Sequence, residues 1–280
     1  MSAEEWVKVA WEVKKAGTIW LCITGGEPLM HPGFETIWRE LTQMGFFITL
    51  QTNAALVIRH ENLFAEYPPW ACKITVYGSN DAVYREVCGA DRGFTDTDAG
   101  IRMLRQMDVP VKLVTTVIRQ NYDDVHNIIQ YADSLKLNWY PNLNIRPSSR
   151  GADSDVEVLR VNTRQKVRDK SYQAKSSEQA EFVYNPPMAY CKDYRVGYWI
   201  VWNGYMRFCS FLNGPDIDIR LQSFRKCWEQ LVRLEDGLEW PKECGTCPIK
   251  GKCTKCAASC KMQDGALYIS ENYCKIQKQL

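Results

Sequence analysis

At 280 residues, 45% hydrophobic and 24% charged, the chain is no disordered tail and is long enough for one large domain or a domain plus a module. Thirty-five Lys and Arg against 33 Asp and Glu leave a net charge of +2, which gives no reason to expect nucleic acid or a membrane surface as partner. No apolar run nears the roughly 18 residues that span a bilayer and the N-terminus opens on charge, so the chain reads as cytoplasmic, a setting that keeps thiols reduced.

The chain begins on a helix. Ser2-Ala3-Glu4-Glu5 is a capping box, Trp6, Val9, Ala10 and Val13 recur at helical spacing, and Gly17 stops the run. Thr18 to Thr24 is a nearly unbroken apolar strand, of the kind buried on both faces of a parallel sheet, and it ends at Gly25-Gly26-Glu27-Pro28. The alternation then repeats: helix from about Phe34 to Met44, strand Phe46 to Gln51, a looser helix from Val57 to Ala65, strand Cys72 to Tyr77. A helix within Asp98 to Met107, strand Val111 to Ile118, a helix from Asp123 to Leu135 and strand Leu137 to Ile145 complete it. Strands alternating with helices mean βα units and a parallel sheet, whose ligands sit at the carboxyl ends of the strands.

Residues 1–150 therefore read as one α/β domain. Residues 151–185 are polar and charged, with one helix from Thr163 to about Ala174, and bridge to a module at 186–280. There Tyr198 to Trp202 and Met206 to Cys209 flank Asn203-Gly204, a two-residue hairpin signal. Nine of the 12 cysteines lie beyond residue 190, and metal is their other common use in a reducing setting. Cys244/Cys247 and Cys253/Cys256 are separated by only five residues, too few for a zinc ribbon, whereas Cys253-x2-Cys256-x3-Cys260 echoes part of a ferredoxin run. Iron-sulfur is the reading, with zinc as its alternative. Cys227, within Phe224 to Trp228, reads as structural, and Cys22, Cys72 and Cys88 as core or near-core thiols. His31 receives no role. For Thr115 and Thr116 strand propensity accounts for the residue as well as function does.

The cysteine module resembles the SPASM domain of radical S-adenosylmethionine enzymes. The resemblance rests on Cys191, the hairpin Gly204 and Cys209, followed by Cys244, Cys247, Cys253 and Cys274. It implies one auxiliary 4Fe-4S cluster on Cys244, Cys247, Cys253 and Cys274, and part of a second on Cys191, Cys209 and a cysteine from 256–260, taken as Cys256 with Cys260 as the alternative. Gly25-Gly26-Glu27-Pro28 resembles the motif of the same family that receives the methionyl amino group of S-adenosylmethionine. Two glycines admit a close approach, and the Glu27 carboxylate and strand-end carbonyls suit an ammonium. Thr75 matches a position where a hydroxyl meets the cofactor ribose, and Arg146, at the end of the last strand, can pair with a carboxylate.

That family holds its cofactor-cleaving cluster with Cys-x3-Cys-x2-Cys, and no such triplet occurs in this chain. The helix at Ser2 resembles the one that follows that loop. The expectation is thus a partial parallel (β/α) barrel lacking its first strand, with Ile19 to Ile23 as an apolar, aggregation-prone edge. The implied function is reductive cleavage of S-adenosylmethionine to a 5′-deoxyadenosyl radical by a peptide- or protein-modifying enzyme, fed by an electron donor such as flavodoxin or ferredoxin, with this chain by itself inactive. The alternative is a non-catalytic iron-sulfur or zinc protein that recognises a peptide or partner enzyme.

Overall fold

The structure is a computed structural model that describes residues 1–143, 145, 158–161, 197–207, 209, 214, 216–237, 242–248, 260–263 and 266–269. The chain divides into two compact units, one of residues 2–147 with 155–175, the other holding residues 176–280.

The larger unit runs α1 (Ala3–Lys15), β1 (Trp20–Ile23), α2 (Phe34–Gln43), β2 (Phe47–Thr52), α3 (Glu61–Glu66), β3 (Ala71–Thr75), α4 (Asp81–Cys88), α5 (Gly93–Gln106), β4 (Val111–Thr116), α6 (Val125–Ser134) and β5 (Asn138–Asn142). Short 3-10 turns at Pro28–Met30, Val57–His60 and Arg119–Asp124 lead into the helices. All four strand pairings are parallel and the order is β1-β2-β3-β4-β5. Right-handed crossovers between sequential parallel strands put every helix on the same face of such a sheet, which is the wall of a barrel left open. The α/β parallel-barrel expectation holds. The capping box at Ser2 also forms as expected, with Glu5 N–H donating to Ser2 Oγ at 3.2 Å and Ser2 N–H to Glu5 Oε2 at 2.7 Å.

The core lies between sheet and helices. Ile48, Leu50, Cys72, Ile74, Val111 and Leu113 alternate inward along the strands and meet Trp38, Phe64, Ile101, Leu104 and Ile128 from the helices, all buried. Thr115, also buried, accepts from the Trp139 indole at 2.8 Å, so it serves packing. The opposite face differs from the expected apolar strand buried on both sides. Trp20 and Cys22 are exposed, Leu21 and Ile23 half-buried, and the outward residues of the other strands are half-buried or exposed and largely polar. The reason is the open barrel: a run of apolar residues announces a buried strand, but among the described residues β1 has a single neighbour and one uncovered face. The helix Asp81–Cys88 was not anticipated, because its polar sequence carries no long periodic stripe. Asn80 caps it through Val83 N–H at 3.0 Å.

Of the three thiols placed in or near the core, only Cys72 is buried; Cys22 and Cys88 are exposed. Burial pushes the Cys72 thiol up to about 12. Since the thiolate is the nucleophile, only about one part in 10⁴ of Cys72 is reactive at pH 8. Iodoacetamide on the folded chain is therefore expected to label Cys22 and Cys88 and to spare Cys72; rapid labelling of Cys72 without denaturant would contradict this packing.

The smaller unit contains the antiparallel strands β6 (Trp199–Ile200), β7 (Tyr205–Arg207) and β8 (Ile217–Asp218), then α7 (Phe224–Asp236), α8 (Lys242–Gly245) and the antiparallel pair β9 (Cys260–Gln263) and β10 (Ala266–Ile269). A hairpin forms around Asn203-Gly204, but with Trp202, Asn203 and Gly204 between Val201 and Tyr205, a three-residue loop in place of the expected two-residue turn. Gly204 takes φ +86°, and an added Cβ there would lie 2.8 Å from the Arg220 side chain. Cys227 is fully buried on α7, in keeping with a structural thiol.

Candidate active site at the carboxyl ends of the strands

The Gly25-Gly26-Glu27-Pro28 segment leaves the end of β1 and turns into the 3-10 turn Pro28–Met30. Glu27, half-buried, is the anchor of the loop. Its Oε1 accepts from Thr52 Oγ1 at 2.7 Å and from Leu29 N–H at 3.1 Å, and its Oε2 accepts from Asn53 N–H at 2.8 Å. The carboxylate thus ties the loop after β1 to the end of β2. A carboxylate has about four acceptor sites, and three donors leave one free for a ligand ammonium.

The β2 end is held in turn. Buried Thr52 Oγ1 accepts from Ala54 N–H at 3.0 Å, Asn53 Oδ1 accepts from Ala55 N–H at 3.0 Å, and Thr97 Oγ1 of α5 donates to Asn53 O at 3.0 Å. Fully buried Ala54 takes φ +63°, and at Gly100 of α5 an added Cβ would lie 2.3 Å from Ala54 O, so only glycine admits this approach. By contrast, Gly25 and Gly26 are exposed, and an added Cβ there would meet nothing within 4 Å. A fixed loop bearing two glycines beside open space is a backbone that a ligand can approach closely.

A second clasp, which sequence reading missed, joins the ends of β3 and β4. Asp124, 8% exposed, accepts from Ser79 N–H at 2.6 Å, Ser79 Oγ at 2.7 Å and Asn127 Nδ2 at 2.8 Å. Asn121, fully buried, donates to Tyr77 O at 3.0 Å and Thr116 O at 3.1 Å and accepts from Ile118 N–H at 2.8 Å. The one signal was the position of Asn121-Tyr122-Asp123-Asp124 just past a strand, and nothing in it distinguishes the buried aspartate from its neighbour. His31 Nδ1 accepts from Gly33 N–H at 3.0 Å, a local loop bond that fits its having no assigned role.

Thr75 ends β3 half-buried, its hydroxyl unbonded among the described residues, so it remains available to a ligand. Arg146 lies outside the described residues, as do Cys191, Cys253, Cys256 and Cys274. Cys209, Cys244 and Cys247 are half-buried. Cys244 and Cys247 stand three residues apart at and just past α8, a spacing that lets two soft sulfurs face one metal centre. Among the described residues no three His, Cys, Asp or Glu side chains come together around a metal position.

Residues 1–132 match the family described as the Radical SAM superfamily. The AdoMet-dependent heme synthase of Methanosarcina barkeri is 26% identical over 94% of this chain and 84% of its own length. The PqqA peptide cyclase of Rhodopseudomonas palustris is 26% identical over 48% of this chain and 36% of its own. Among solved structures, Streptococcus suis SuiB bound to S-adenosylmethionine superposes with a TM-score of 0.65 at 12% identity, over 98% of this chain and 70% of that one. SuiB bound to its precursor peptide SuiA gives 0.67 at 13% identity, over 98% and 69%. At such identities the structural likeness speaks for the fold alone. Residues 1–132 accordingly match a radical SAM domain, while the solved structures, at their low identity, show a shared fold.

Proposed function

We propose that this chain serves an enzyme activity that binds S-adenosylmethionine over the ends of β1 to β3, cleaves it reductively, and takes hydrogen from a peptide or protein substrate. The observation that carries this reading is the pairing of the Glu27 clasp with open space at Gly25 and Gly26. Strand-end carbonyls and the free acceptor of Glu27 receive the methionyl ammonium, and the Thr75 hydroxyl meets the ribose. When bound beside a reduced cluster, S-adenosylmethionine supplies a carbon-centred radical that abstracts hydrogen. Arg146 pairs with a carboxylate. Cys191, Cys209, Cys244, Cys247, Cys253, Cys256 and Cys274 hold up to two auxiliary 4Fe-4S clusters, which a flavodoxin or ferredoxin would reduce. The cleaving cluster needs three thiolates that this sequence does not contain, so the chain by itself binds the cofactor and does not cleave it.

A peptide substrate is supported by two proteins this chain resembles, a PqqA peptide cyclase and SuiB with its precursor peptide. A second reading, a carboxylated tetrapyrrole, is favoured by the heme synthase, whose match runs over 94% of the chain. Two measurements test the proposal. Titration calorimetry of the chain with S-adenosylmethionine should show binding that Gly26→Val weakens at least about tenfold, or 1.4 kcal/mol, because a side chain would fill the ligand's space without clashing in the fold. A protein lengthened upstream to include a Cys-x3-Cys-x2-Cys should release 5′-deoxyadenosine under reduction. Unaltered affinity in Gly26→Val, or no 5′-deoxyadenosine from the lengthened protein, would count against it.

A further inference from the structure

The face of the sheet turned away from the helices carries a rung of nitrogen donors. Lys73 of β3 and Lys112 of β4 are direct cross-strand partners, and the register extends the rung to Gln51 of β2 and Asn138 of β5. Burial along the strands puts all four on the open face, with Lys73, Lys112 and Asn138 exposed and Gln51 half-buried, its amide donating to Cys22 Sγ at 3.1 Å. Above and below them the same face shows Thr49, Thr75, Thr116, Tyr140 and Asn142, with Trp20, Cys22, Phe47, Ala71 and Val114 as its apolar part, and no strand residue on it is acidic. Neither ammonium has a carboxylate partner among the described residues.

Two like charges side by side on one face repel and weaken the pairing of their strands. All-parallel sheets, moreover, are found almost only with both faces covered, so a cationic rung in the middle of the second face is one that something of opposite charge comes to cover. We propose that Lys73 and Lys112 form a carboxylate subsite within the open barrel. The Gln51 and Asn138 amides flank it as further donors.

The carboxylate is the substrate's and not that of S-adenosylmethionine. Neighbouring strands lie about 4.8 Å apart, so the gap between β3 and β4 is roughly 12 Å from β1, where Gly25 and Gly26 would hold the methionyl amino group. In the pose proposed above the methionyl end of S-adenosylmethionine lies at the β1 loop and its ribose at Thr75, so the anion assigned to this rung is a second ligand's. Calling this ligand the substrate rests on the function proposed above, whereas the existence of an anion subsite does not.

Reductive methylation of the full chain, mapped by mass spectrometry, tests both points without any substitution. Glutarate, a simple dicarboxylate, should slow modification of Lys73 and Lys112 several-fold while leaving exposed Lys8, Lys15 and Lys136 unchanged, and neutral glutaramide should protect none of them. Protection of Lys112 by S-adenosylmethionine alone would overturn the assignment to substrate, whereas some shielding of Lys73, two residues from Thr75 on β3, is expected from the bound ribose. Equal modification of all five lysines with and without glutarate would overturn the subsite itself. As a check by substitution at an exposed position, Lys73→Met and Lys112→Met should each weaken glutarate binding about tenfold, the worth of one charge-assisted hydrogen bond, with S-adenosylmethionine affinity unaltered. If glutarate protects but S-adenosylmethionine does not bind at all, the subsite stands and the cofactor reading falls.

Discussion

Glu27→Ala is expected to lower the stability of the N-terminal unit by about 2–4 kcal/mol and to weaken S-adenosylmethionine binding at least tenfold. Three donors lose their acceptor at once: the Thr52 hydroxyl, the Asn53 N–H and the Leu29 N–H. An orphaned buried donor costs about 1–3 kcal/mol, and water can reach only part of this half-buried position, which places the sum in that range. Binding suffers twice, through loss of the ammonium acceptor and through release of the loop that presents Gly25 and Gly26. Glu27→Gln keeps the volume and one oxygen but sets an NH₂ against a backbone N–H, so it should fall between the two. Thermal melts and calorimetry on both variants check this. An alanine variant that melts like the parent would show that the clasp carries no weight.

The second large effect concerns iron. Anaerobic reconstitution of the chain should incorporate about eight irons and eight sulfides, with the broad visible absorption of iron-sulfur clusters. The double substitution C244A/C247A should reduce this to about four irons, since both thiols are assigned to one cluster and Cys191 and Cys209 to the other. The reading is strict about metal identity: a colourless protein holding only zinc would end it. Retention of eight irons by the double variant would reassign the ligands. Melting of the N-terminal unit should be the same in both forms, because its core contains no cysteine of that set.

The parts of the fold legible in the sequence were those with a local physical signal. Ser2 and Glu5 announce a helix start because the capping box is made of the two residues that bond each other. Asn203-Gly204 announces a hairpin because only a glycine sits comfortably at φ +86°. The alternation of apolar strands and amphipathic helices gave the parallel sheet. What could not be read is what depends on distant residues. Whether the face of β1 turned away from the helices is covered is decided by the closure of the barrel and not by Trp20 to Ile23, so those residues look buried and are not. Cys22 misled for the same reason, whereas Cys72, in the middle of the sheet, did not. At the site, Glu27 was legible through its glycines, but its partners Thr52 and Asn53 lie 25 and 26 positions away. The Asp124 clasp spans 45 positions to Ser79, with no motif at either end. Lys73 and Lys112 become neighbours only through the register of β3 on β4.

The two carboxylate clasps also bear on the thermodynamics of capture. Fixing a residue's backbone costs about 1–2 kcal/mol in lost freedom, and a pocket rimmed by loose loops would charge that sum to every ligand that enters. Here Glu27 and Asp124 hold the segments after β1, β2, β3 and β4 with bonds from the protein's own side chains. That ordering is completed during folding. A guest arriving at this rim thus finds it already stilled, and its affinity is governed by the contacts it makes and the water it displaces.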